Sequence, residues 1–147
     1  MKLPIPGAHL LRPGVSLELF VEVRPKPKHK FCVFCCVEDP PLYLLINSGI
    51  NDYIRDRKHL LEQQIQIPNT ELDERLYKNS YLDCSQAFDN FTRAEVCDAI
   101  DSNPACYMGR LSDELLARIV AVAKESVTLR PLEVLAIVSA LDPKNSD

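Results

Sequence analysis

The sequence predicts an α+β fold, and three observations carry the prediction. Strand-like apolar runs crowd the first half, capped helical stripes fill the second, and turn signals separate most of them. Ser16 to Val23 alternates as a half-buried strand does, with Val15, Leu17, Leu19 and Val21 on one side and Ser16, Glu18, Phe20 and Glu22 on the other. Pro25 and Pro27 stop it. Residues 31–37, Phe-Cys-Val-Phe-Cys-Cys-Val, form a continuous apolar run of a length that suits a strand buried on both faces. Glu38-Asp39-Pro40-Pro41 turns the chain into a third strand, Leu42–Asn47, which Asn47-Ser48-Gly49 ends. Together these make a β-meander.

Gln64–Ile67 alternates and predicts a strand with one wet face; Tyr81–Cys84 predicts a shorter one. Thr92-Arg93-Ala94-Glu95 is a capping box, so a helix is expected to about Asp101, where Asn103-Pro104 terminates it. Ser112 caps a helix over 113–126 whose stripe is Leu115, Leu116, Ile119, Val120, Val122 and Ala123. A last helix begins at Pro131, where a missing N–H is harmless, and runs to about Leu141 before a frayed tail, Asp142–Asp147.

A chain of 147 residues, 46% hydrophobic and 26% charged, supports one globular domain, residues 1–147, without repeats or a linker. No apolar run approaches the roughly 20 residues of a membrane span, and the first residues lack the apolar core of a secretory signal, so a cytoplasmic location is expected. The formal charge of −4 argues against a general nucleic-acid coat. Its distribution still leaves two basic stretches, Arg24, Lys26, Lys28, His29 and Lys30, then Arg55, Arg57 and Lys58.

The six cysteines read as reduced thiols. Cys32-x-x-Cys35 has zinc-like spacing, and Cys36, Cys84, Cys97 and His29 are conceivable further ligands, but strand alternation sends Cys32 and Cys35 to opposite faces, and no second paired motif exists. Buried apolar thiols are the expectation, with no metal and no cofactor.

Four ordered segments resemble the MazF/PemK toxin family. Met108-Gly109-Arg110-Leu111-Ser112-Asp113-Glu114-Leu115-Leu116 is similar to the family's C-terminal G-R-L-S-x-E-x-L helix. Ser80-Tyr81-Leu82-Asp83-Cys84 resembles its D-S-Y strand, and Lys30–Cys36 before Leu42–Ser48 resembles its two central strands. The resemblance covers roughly residues 28–128. It implies a small SH3-like β-barrel of the CcdB/MazF type, here about residues 8–85 and 105–110, with helices about 92–101, 113–126 and 131–141. It further implies a homodimeric toxin of a type II toxin–antitoxin system that cleaves single-stranded RNA without a metal and is neutralised by an antitoxin. Where the family carries an Arg-Pro loop motif this chain has Lys28-His29-Lys30-Phe31, so the resemblance passes the phosphate role to Lys30, beside His29, and the hydroxyl role to Ser48.

Cleavage through the 2′-hydroxyl needs a base, a cation on the phosphate and an acid at the departing oxygen. His29 suits acid–base work near neutral pH, and Lys28 or Lys30 supplies charge. Arg24, Arg55 and Lys58 are candidates for the RNA backbone, and Tyr53 for stacking on a base. The plainer readings stand beside these: Lys28–Lys30 as a solvated strand edge, Ser48 as a turn residue, and Arg55, Arg57 and Lys58 as a surface patch. Two other functions fit the same chain, a catalytically silent barrel relative that binds protein or nucleic acid, including a CcdB-like topology poison, and a metal-binding interaction module.

Overall fold

The computed structural model describes residues 5–21, 28–72, 74–76 and 79–142. Six strands form one antiparallel sheet: β1 (Val15–Val21), β2 (Lys28–Cys36), β3 (Leu42–Asn47), β4 (Gln64–Ile67), β5 (Ser80–Phe88) and β6 (Tyr107–Arg110). Their order is β4-β5-β3-β2-β1-β6, and the sheet curls into a half-barrel. The expected meander is its centre. Among the described residues six α-helices accompany it: α1 (Gly7–Leu10), α2 (Asp52–Arg55), α3 (Lys58–Leu61), α4 (Arg93–Ser102), α5 (Asp113–Lys124) and α6 (Pro131–Leu141).

Alternation along the strands divides the core in two. One face sends Val33, Leu44, Ile46, Leu82, Ile65 and Ile67 against Leu116 and Ile119 of α5 and Ile137 and Leu141 of α6. The other sends Leu17, Leu19, Cys32, Phe34, Tyr43 and Leu45 against Val96 and Ile100 of α4. β2 is thus covered on both sides, which is what its unbroken apolar run requires. Truncating Leu116 or Ile119 to Ala would cost about 2–5 kcal/mol through lost burial and a residual cavity.

The helix caps explain where the helices begin. Thr92 accepts from Glu95 N while Glu95 answers at the Thr92 N–H, completing the expected capping box. Ser112 accepts from Leu115 N, and its own N–H is held by the Glu71 carboxylate. Gly14 has φ +92°, a backbone state that favours glycine, and joins two parts of the sheet. Its N–H donates to Phe34 O at 2.7 Å and its carbonyl accepts from Leu111 N at 3.0 Å.

Several boundaries depart from the pattern read in the sequence. β2 begins at Lys28 rather than Phe31, because Lys28, His29 and Lys30 pair with Val21, Phe20 and Leu19 of β1. They extend β2 beyond its pairing with β3, so Lys28–Lys30 are paired with β1 alone and keep one open strand edge. β5 runs on to Phe88, past the expected Cys84, and α5 stops at Lys124. Between β3 and β4, where the sequence shows no periodic element, the chain forms α2 and α3, and Asn51 caps α2 by accepting from Ile54 N at 2.9 Å. Short helices of this kind lack the apolar period that betrays longer ones. Among the described residues no helix is long and apolar enough to cross a membrane. The expected strand end Glu22–Val23 and the tail from Pro143 lie outside the described residues.

Candidate functional site

The site begins with a mismatch in strand length. β3 ends at Asn47 and pairs with β2 only from Phe31, opposite Ile46, onward, whereas β1 and β2 stay paired out to Val21 and Lys28. The projecting end of β2 leaves a cleft of about 310 Å³. Its lining brings together Lys28, His29, Lys30 and Ser48, with Glu18, Phe31, Ile46, Asn47 and Ser80 around them.

Within that lining, the period of two separates neighbours. His29 and Phe31 share a face with Phe20 and Glu18, their partners across the ladder, while Lys28 and Lys30 share the opposite face with Val21 and Leu19. The His29 ring meets Phe20 edge-on, with centroids 5.3 Å apart and planes at 69°. Phe20 is itself 54% exposed, a large aromatic ring left on the wet side of β1.

Lys30 is half-buried, and its Nζ donates to Asn47 Oδ1 at 2.6 Å. Burial is the main cause that pulls its pKa below the usual lysine value. Lys28 adds to the effect, and Cys32 and Asp83 oppose it. Lys28 and His29 are exposed, and so is Ser48 at the β3 end. Among the described residues the one carboxylate in the lining, Glu18, is balanced by Arg75 at 3.1 Å, and Arg75 is anchored in turn to the carbonyls of Ala105 and Tyr107. An anion entering the cleft therefore meets the exposed Lys28 ammonium, the half-buried Lys30 and a neutralised acid.

The remaining sequence candidates lie elsewhere. Arg55 and Lys58, on α2 and α3, are outside the cleft lining; each pairs with an acid of its own segment, Arg55 with Asp52 at 2.9 Å and Lys58 with Glu62 at 3.6 Å. Tyr53 carries the Arg57 guanidinium over its ring at 3.6 Å, so one ring face is already covered. Arg24 falls outside the described residues. Three contributors escaped the sequence reading: Asn47, Arg75 and Phe20. Only Phe20 left a signal, as an aromatic on the polar side of an alternating strand. Arg75 sits in a loop with no pattern around it.

Cys32 and Cys35 lie in different halves of the core, Cys32 beside Phe34 and Leu45, Cys35 beside Val33 and Leu44. All six cysteines are free, and burial pushes the thiols of Cys32 and Cys35 up to about 12, far from a reactive thiolate. Among the described residues no three His, Cys, Asp or Glu side chains are grouped to hold a metal ion.

The cleft thus gathers two lysines, a histidine and a serine, with the His29 ring in edge contact with Phe20. Comparison of the chain with protein-family models, with curated proteins and with solved structures finds no match.

Proposed function

We propose that this chain is a metal-independent endoribonuclease of the toxin–antitoxin kind, an SH3-like barrel of the MazF/PemK type that acts on single-stranded RNA in the cytoplasm. The observation that carries the reading is that Lys28, His29, Lys30 and Ser48 line one cleft, with the exposed ring of Phe20 against that of His29. Phosphates need the cations, and an unpaired base needs an exposed aromatic face.

In this scheme His29 takes the proton of the 2′-hydroxyl as that oxygen attacks phosphorus. The P–O5′ bond breaks, a 2′,3′-cyclic phosphate forms, and the departing 5′-oxygen gains a proton from water or the Lys28 ammonium. Lys30, held by Asn47, keeps two further N–H donors for the phosphate, and Ser48 orients a second oxygen. The protein works as a homodimer, and an antitoxin silences it by covering the cleft.

Incubation of the purified protein with mixed-sequence RNA in chelator, with mapping of the cut ends, tests this. Cyclic phosphate and 5′-hydroxyl ends are expected, with His29→Ala lowering the rate by about 10²–10⁴-fold, the usual worth of a general base. RNA left intact across sequences overturns the nuclease. One observation favours a second reading, a silent relative that binds RNA without cutting it. The alternation of β2 directs the His29 ring and the Lys30 ammonium to opposite faces, and the latter is already bonded to Asn47. Retention of RNA without new ends would select that reading.

A further inference from the structure

α6 carries more apolar surface than the core uses. Its sequence is Pro-Leu-Glu-Val-Leu-Ala-Ile-Val-Ser-Ala-Leu, and Ile137 and Leu141 are the large residues it buries. Leu132 and Leu135, one turn apart, are 79% and 62% exposed. A surface helix needs one apolar stripe, and a second one facing water marks a place where something else binds.

Leu132 stands at a groove of about 670 Å³ between the start of α6 and the β2–β3 turn, floored by Leu42 and Ala136. The walls are acidic. Among the described residues Glu38, Asp39, Asp89 and Glu133 line it against a single cation, Arg130, whose guanidinium is 3.0 Å from Glu133. Asp39 accepts from the Arg93 backbone N–H. Glu38 and Asp89 are exposed and, among the described residues, form no ion pair.

The charge around the apolar floor selects the occupant. A second copy of this chain docked through the same patch would set these carboxylates against their equals. RNA and anionic membranes are repelled by the same acids. A helical segment with leucine-like anchors and flanking Lys or Arg satisfies both parts of the groove: its anchors cover Leu132 and fill the floor, and its cations meet Glu38 and Asp89. We infer that the α6 groove docks a basic, apolar-anchored helix of a partner protein, on a surface separate from the β2 cleft.

The probe is a fluorescent synthetic helix of only Leu and Lys, about 18 residues or five turns, with its Leu/Glu counterpart of identical apolar face as control. Fluorescence anisotropy should show saturable one-to-one binding of the Leu/Lys helix that weakens with salt, and none of the Leu/Glu helix. Leu132→Ser and Glu38→Lys should each weaken binding by about tenfold, the loss of a single strong contact. Both side chains are exposed, and melting curves of the variants establish that they fold. Equal binding of the two helices, or affinity indifferent to both substitutions, overturns the inference. So does light scattering that shows a dimer of the free protein which Leu132→Ser dissociates, since a second copy then occupies the groove.

Discussion

The Lys30 ammonium donates to Asn47 Oδ1 at 2.6 Å, tying the projecting end of β2 to the last residue of β3. Because Lys30 is half-buried, removing its partner leaves a partly desolvated charge. Removing both partners does not. Asn47→Ala should therefore lower stability by about 1–2 kcal/mol, whereas the double variant Lys30→Met with Asn47→Leu should recover much of that loss. Urea midpoints of the two variants check this, and a double variant weaker than Asn47→Ala would show that the bond is incidental.

Buried thiols set the alkaline limit of the fold. Burial raises Cys32 and Cys35 from 9.0 to about 12, and raises Cys84 and Cys106 as well. Above the unfolded value of 9.0 the unfolded chain sheds thiol protons that the folded chain keeps, so rising pH favours unfolding. The stability is fully present below pH 9 and declines through the window up to 12. Each wholly buried thiol is worth about 1.4 kcal/mol per pH unit in that window. Lys30 acts with the opposite sign, since its lowered pKa makes the unfolded chain the better proton binder up to 10.5, but it is one group against several. In reductant, the urea midpoint should fall clearly between about pH 8 and pH 10, and Cys35→Val should flatten that fall. A midpoint that ignores pH would show the thiols to be hydrated.

Gly14 sits where an L side chain has neither the backbone state nor the space. Its φ is +92°, and a Cβ there would meet Leu116 Cδ1 at 2.9 Å, the side chain that joins α5 to the sheet. Gly14→Ala should cost about 1–3 kcal/mol from backbone strain and displacement of Leu116. A thermal melt within a degree of the parent would contradict this close approach.

The sheet's centre was legible because its residues obey short-range rules. Leu42–Asn47 and Gln64–Ile67 form strands at the expected positions, and Thr92, Ser112 and Pro131 begin helices where the caps and the proline require. The cleft was only half legible. The basic run drew attention to Lys28, His29 and Lys30, but the strand register that makes Asn47 and Phe20 their neighbours is long-range and has no local signature. Arg75, which neutralises Glu18, lies 57 residues away in sequence and leaves no periodic trace at all. The proline marked where α6 begins, but the exposure of Leu132 became visible only once its packing against α5 was known.

Phe20 offers the sharpest separation of binding from folding. Its ring is 54% exposed and touches edge-on the ring of His29, which lines the cleft, so it contributes little to the core yet adjoins a cleft residue. A base stacked there would be worth about 1–3 kcal/mol, which converts to roughly 5–150-fold in affinity. Phe20→Ala should accordingly weaken single-stranded RNA binding by a factor in that range and leave the urea midpoint within about 0.5 kcal/mol of the parent, as surface substitutions do. Anisotropy with a short labelled RNA in the His29→Ala background, where cutting is suppressed, measures it directly. Unchanged affinity would remove Phe20 from the RNA path, while a parallel loss of stability would return it to the fold.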